Sequence, residues 1–145
     1  MRFSAGVSKA SNPLEAAHAL CAVVRGQLAG ARADLACLFL SPHFAEHADI
    51  LTRAVYAELS PRHLIGCTGE GIIAGAEEIE NAPAAALWAA ELPDVTIAPV
   101  RLRARPSGDS LSLDHWPAME EGSFSRPTFL LLADPFSTPW MKCWR

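Results

Sequence analysis

Two stretches of the chain, Leu35–Leu40 and Phe129–Ala133, are apolar at every position. Runs of that length with no polar face predict strands covered on both sides. A different spacing precedes the first run: Leu14, Ala17, Cys21, Val24 and Leu28 recur at helical intervals, which predicts a helix laying one stripe on a sheet. Its start is marked by Asn12 as N-cap, Pro13 at the first helical position and Glu15 three residues past the cap, and Gly30 marks its end.

Arg2–Val7 reads as a short first strand. Ser41 and Pro42 open a second helix that runs to Leu59, with Phe44, Ile50, Leu51, Ala54, Val55 and Leu59 available for packing, and Ser60 and Pro61 stop it. His63–Cys67 is the third strand. Strand, helix, strand, helix, strand is the order of parallel βαβ units.

The style then changes. Ala84–Glu91 and Val95–Arg103 are strand-like and flank Leu92, Pro93 and Asp94, the makings of an antiparallel hairpin. Pro99 lies where the apolar phase of the second arm switches, so a bulge or an edge position is expected there. Ala104–Arg126 reads as a long surface connection anchored by Trp116 and Phe124, and Thr128–Ala133 as a further strand ended by Asp134 and Pro135. The expected fold class is therefore α/β: a mixed, mainly parallel sheet flanked by helices, with an antiparallel hairpin.

With 145 residues, half of them hydrophobic, the chain can bury a core of its own. A net charge of −4 leaves no electrostatic footprint for nucleic acid. Arg101, Arg103 and Arg105 alternate as the solvent side of a strand does. No apolar run approaches the roughly 20 residues of a membrane helix, and Ser4, Ser8, Lys9, Ser11 and Glu15 interrupt any secretory signal. A cytoplasmic protein with no membrane partner is expected. Cys21, Cys37, Cys67 and Cys143 form no CxxC pair, so a zinc cluster has no support and reduced thiols are expected.

The segment richest in chemistry is Ile65–Glu80, where the third strand breaks into Gly66, Gly69 and Gly71 and then into carboxylates. Glycines at a strand end permit sharp turns or close approach of a ligand, and the amides of Thr68 to Gly71 offer a grip for an anion. The spacing is neither GxxxxGK[ST] nor GxGxxG, so nucleotide binding is not supported. Glu70, Glu77, Glu78 and Glu80 offer partners for a ligand amine, against the plainer reading of a solvated acidic face. Cys67 with His63 invites a nucleophile reading, but four strand residues separate the pair by about 13 Å. A structural thiol is the expectation, and no catalytic residue is assigned. His43 and His47, at i and i+4 on the second helix, have a spacing that can hold a metal or haem, with no third ligand in view. No cofactor is expected.

The pieces AGVSKASNPLEAA, DLACLFLSPHF, HLIGCTGEGIIAGAEEIE, ALWAAELPDVTIAPVRL and FLLLADPF, taken in this order, resemble the N-terminal domain of the FIST family, an intracellular sensory module also found beside F-box sequences. The resemblance runs through Phe136. It implies a non-catalytic domain that senses small molecules such as amino acids and passes the signal to a downstream protein. It also singles out Glu78. The ligand-binding candidates are then Cys67, Thr68, Gly69, Glu70, Gly71, Glu78 and Asp134; the alternative function is a protein-interaction module, or a remnant without function.

Family members continue into further Gly-rich segments, so the domain is expected to be incomplete, spanning residues 1–139. The ending Trp140–Arg145 reads as a frameshifted tail: moved by one base, its codons spell an amphipathic helix following Ser137, Thr138 and Pro139.

Overall fold

The computed structural model describes residues 1–107, 110–114 and 128–133. By its internal contacts the chain divides into two units, Met1–Ile97 and Ala98–Arg145.

In the first unit the chain runs β1 (Arg2–Ser8), α1 (Pro13–Gln27), β2 (Leu35–Leu40), a 3₁₀ helix (Pro42–His47), α2 (Ala48–Leu59), β3 (His63–Thr68), β4 (Gly71–Ala74), β5 (Glu77–Glu80) and β6 (Ala85–Glu91). α1 begins where its cap predicts: Asn12 Oδ1 accepts from the amides of Leu14 at 2.9 Å and Glu15 at 3.2 Å. Its buried stripe is Ala16, Ala17, Leu20, Cys21 and Val24, whereas Leu14 is exposed.

The main sheet has the order β1-β6-β2-β3. β2 and β3 pair in parallel, while β6 is antiparallel to both β1 and β2. β1, β2 and β3 thus point the same way, as the βαβ reading requires. The insertion of β6 between β1 and β2 makes most of the pairing antiparallel, so the sheet is mixed but not mainly parallel in its ladders.

That insertion also removes the expected hairpin. Both edges of Ala85–Glu91 are occupied by β1 and β2, which leaves no ladder for Val95–Arg103, and residues 95–100 form no strand. The turn after β6 is present, with Asp94 at φ 67, and antiparallel hairpins form elsewhere, as β4 with β5 and in the second unit.

Both helices flank the sheet on one and the same face. Ala36, Leu38 and Leu40 of β2 and Ala85, Leu87 and Ala89 of β6 share a buried cluster with the α1 stripe and with Phe44, Leu51 and Val55. Each large side chain sealed there contributes about 1.5–3 kcal/mol before entropy is counted. The opposite face is covered in part by the β4–β5 hairpin, whose Ile72 and Ile79 pack with Ala84, Ala86, Val7 and Phe39. That hairpin turns on two residues, the first being Gly75 at φ +64, a backbone angle that suits glycine. Beyond its reach Phe3 and Trp88 meet at a ring separation of 6.1 Å.

Two polar pins close the frame. Ser41 does not cap the second helix; its Oγ accepts from Ala84 N at 3.0 Å while its own amide donates to Ala84 O at 2.8 Å. Asp34 accepts from Arg62 Nε at 2.9 Å and from Leu92 N at 2.7 Å, tying the lower ends of β2, β3 and β6 together.

In the second unit β7 (Arg103–Ser107) and β8 (Ser110–Asp114) form an antiparallel hairpin, with Arg105 Nε 2.6 Å from Asp114 Oδ2. This hairpin occupies the first part of the expected long surface connection. Thr128–Ala133 forms no strand, and Phe129, Leu130 and Leu131 are exposed; strand formation depends on tertiary context, and apolarity alone does not decide it. Trp116, Phe124, Asp134 and the tail 140–145 lie outside the described residues.

Candidate functional site

The parallel pair β2–β3 ends at Leu40 and Thr68, and the carboxyl ends of parallel strands are where open α/β sheets receive ligands. A cleft of about 320 Å³ opens there. One wall is β3 from Leu64 to Thr68, the floor is Leu38 and Leu40 of β2, and the other wall is Ala48 and Thr52 of α2. Ala48 and Thr52 stack on one helix face because four residues make about one turn.

Two of the predicted residues, Cys67 and Thr68, line this cleft. Gly69 and Glu70 follow in the connection to β4, which Gly71 begins. The amide of Gly69 donates to Leu40 O at 3.0 Å, so it extends the ladder and is not available to an anion. Glu78 lies in β5 opposite Ile73, on the outward side of the hairpin with Glu80, away from the packed Ile72–Ile79 side, and it does not line the cleft. Its neighbour Glu77 is paired with Lys9 Nζ at 2.6 Å. Asp134 is not among the described residues.

Sequence reasoning missed Ala48 and Thr52. Their signal was available: a small residue and a short polar one at i and i+4, beside the inward-facing Leu51 and Val55.

The histidine pair does not share a face. His43 and His47 fall within the 3₁₀ helix, where three residues complete a turn, so a step of four rotates the second ring by about 120° from the first. Among the described residues no group of three His, Cys, Asp or Glu side chains is placed to hold a metal ion.

The thiols differ sharply. Cys67 is exposed, while Cys21 and Cys37 are buried. Burial, reinforced by the carboxylate of Glu58 and opposed by Arg25, pushes the Cys21 thiol up to about 12; burial alone raises Cys37. Both are held as neutral thiols, poor nucleophiles. Cys21 sits beside a bridge between the helices: Glu58 meets His18 Nδ1 through one oxygen and Arg25 through the other at 3.3 Å, and Arg25 also donates to Glu58 O at 2.9 Å. A second cleft of about 290 Å³ lies by this bridge, lined by Arg25, Arg32 and Glu58 among others. Arg25 is committed to the bridge and Arg32 Nε donates to Ser60 O at 2.7 Å, so the cleft's cations already serve the fold.

These features define an α/β domain with an open, uncharged cleft at the end of its parallel strand pair. The FIST N domain model matches residues 34–140, and the chain belongs to that family. An uncharacterized protein of Mycobacterium tuberculosis (strain ATCC 25618 / H37Rv) is 35% identical over 139 residues, covering 96% of this chain and 35% of the relative. An uncharacterized protein of Mycobacterium bovis (strain ATCC BAA-935 / AF2122/97) is 37% identical over 91 residues, 62% of this chain and 23% of the relative. The chain spans about a third or less of the length of these relatives. No solved structure matches it. Among the described residues no helix is long and apolar enough to cross a membrane.

Proposed function

We propose that this chain is a non-catalytic sensory domain for signal transduction, which binds a small molecule in the cleft between β3 and α2 and passes the bound state to a downstream protein. Membership of the FIST family supports the sensory role. The observation that carries the site is the meeting of Cys67 and Thr68, from the glycine segment, with Ala48 and Thr52 across a single cleft. The clefts that serve small ligands are concave and mostly apolar with a few polar groups, as this one is. The family resemblance points to small molecules of the amino-acid kind, and the chemistry of the cleft decides which of their relatives it holds.

The test is a thermal-shift screen of small metabolites against the 145-residue chain and its Thr52→Trp variant. Thr52 is exposed on its helix, so the indole blocks the cleft at little cost to the fold. A ligand that stabilises the parent and not the variant supports the site; stabilisation equal in both refutes it.

A protein-interaction module is the second reading, favoured by the apolar pair Phe3 and Trp88 on the sheet face away from the helices, where Phe3 is 56% exposed. Phe3→Ser separates the two, because it removes partner binding and leaves the cleft untouched.

A further inference from the structure

We infer that the cleft between β3 and α2 selects an uncharged, largely apolar molecule with one or two hydrogen-bonding groups, and discriminates against free amino acids. This rests on the reading above that the cleft is the ligand site.

The argument is one of charge. No acidic or basic side chain lines the cleft; its polar side chains are the hydroxyls of Thr52 and Thr68, because Cys67, in register with Phe39, turns its thiol to the opposite face of the sheet. Of the charges along the flanking elements, Asp49 is paired with Arg53 at 3.9 Å on α2 and Arg62 with Asp34 at 2.9 Å before β3, while Glu46 and Glu70, just beyond the cleft's ends, are not among its lining residues. A zwitterion seated against these walls exchanges part of the water around its ammonium and carboxylate for apolar surface and receives no counter-charge from the lining, which weakens its binding. An uncharged molecule loses far less and gains contact with Leu38, Leu40 and Leu64.

The two hydroxyls fit the same class. Each donates one hydrogen bond and accepts others, and neither is committed to another group among the described residues. They stand on facing walls, one on α2 and one at the end of β3, so an amide, ketone or alcohol can be held at its polar end while its apolar body lies on the leucines. At about 320 Å³ the cleft is at the small end of ligand sites, which run from about 300 to 1,000 Å³.

The experiment uses the full 145-residue chain and the uncharged fluorophore N-phenyl-1-naphthylamine, displaced by either 4-methylpentanamide or leucine. The two competitors share an isobutyl group and differ in charge. Displacement by the amide at a concentration at least tenfold lower than leucine, with probe binding weakened at least tenfold by Thr52→Trp and amide competition weakened by Thr68→Val, is the expected result. Leucine competing as well as the amide, with Thr52→Trp still blocking both, overturns the selectivity while the site stands. Probe binding indifferent to Thr52→Trp in a variant with parent-like circular dichroism overturns the site and the selectivity together.

Discussion

A methyl group added to Gly66 would lie 2.0 Å from the carbonyl oxygen of Leu38, its register partner in β2. No Cβ tolerates such an approach, so the close contact of the two strands accounts for this glycine without any ligand. Gly69 and Gly71 differ: the nearest atoms to an added Cβ are 3.5 Å away at each, an ordinary contact, and neither residue has a positive φ. Of the three glycines that open the segment, the first belongs to the sheet.

Gly66→Ala should therefore destabilise the fold by about 3 kcal/mol, the scale of overpacking in a close-packed region. Gly69→Ala should change stability by no more than about 1 kcal/mol, because it meets neither a clash nor a left-handed backbone. Urea unfolding of the two variants beside the parent checks this, and equal midpoints would remove the structural assignment of Gly66.

Much of the frame was legible in the sequence because it rests on local signals. Asn12-Pro13 starts α1, the unbroken run Leu35–Leu40 is β2, and Pro61 closes the region of α2. The placement of β6 was not legible in the same way, because a strand's alternation does not name its neighbours. A signal did exist: Ala84 to Ala90 is as continuously apolar as β2, and a strand buried on both faces belongs at the centre of a sheet, where Val95–Arg103 cannot join it. The β4–β5 hairpin was hidden inside the glycine and acid cluster, yet Ile72 and Ile79 on either side of Gly75 give the inward face. For the site, the strand end was readable and the facing helix wall was not, since contact between Thr52 and Thr68 segments is a product of tertiary packing.

Asp34 is predicted to matter more than a surface carboxylate. It accepts from the Arg62 side chain and from the Leu92 amide, and the latter has its bond to lose when the carboxylate goes. Asp34→Ala should cost about 2 kcal/mol, against about 0–1 kcal/mol for removing one partner of an exposed ion pair such as Asp49 with Arg53. Parallel denaturation curves of Asp34→Ala and Asp49→Ala measure the contrast.

The thiols should separate by reactivity. In the native chain at pH 8, iodoacetamide mapped by mass spectrometry should modify Cys67 well before Cys21 or Cys37, since only Cys67 of these is exposed. Comparable labelling of all three under native conditions would contradict the burial.

Stability should also fall on the alkaline side. Burial first, and the Glu58 charge second, raise Cys21 from the ordinary thiol value of 9.0 to about 12, so the folded chain holds this proton at a pH where the unfolded chain releases it. The contribution is fully present below pH 9 and is lost as pH rises toward 12. Cys21→Ala costs packing at every pH, but it should flatten the decline between these limits, measured by urea midpoints across the range; an unchanged slope would show that Cys21 does not drive it.

Cys67→Ser should leave the ligand response of the chain nearly intact. His63, the histidine that shares its strand, pairs with Leu35 at the opposite end of the β2–β3 ladder, while Cys67 pairs with Phe39. Four strand residues hold the two about 13 Å apart, far beyond hydrogen-bond reach, so no imidazole on β3 can take the thiol proton. The serine hydroxyl is close in size, and the side chain at this position is on the Phe39 face of the strand, away from Thr52 and Thr68. Ligand-dependent thermal stabilisation within about twofold of the parent in apparent affinity, or about 0.4 kcal/mol at 25 °C, is the expected outcome. Complete loss of that response in a folded Cys67→Ser protein would instead make the thiol chemically active, and the non-catalytic reading would have to be abandoned.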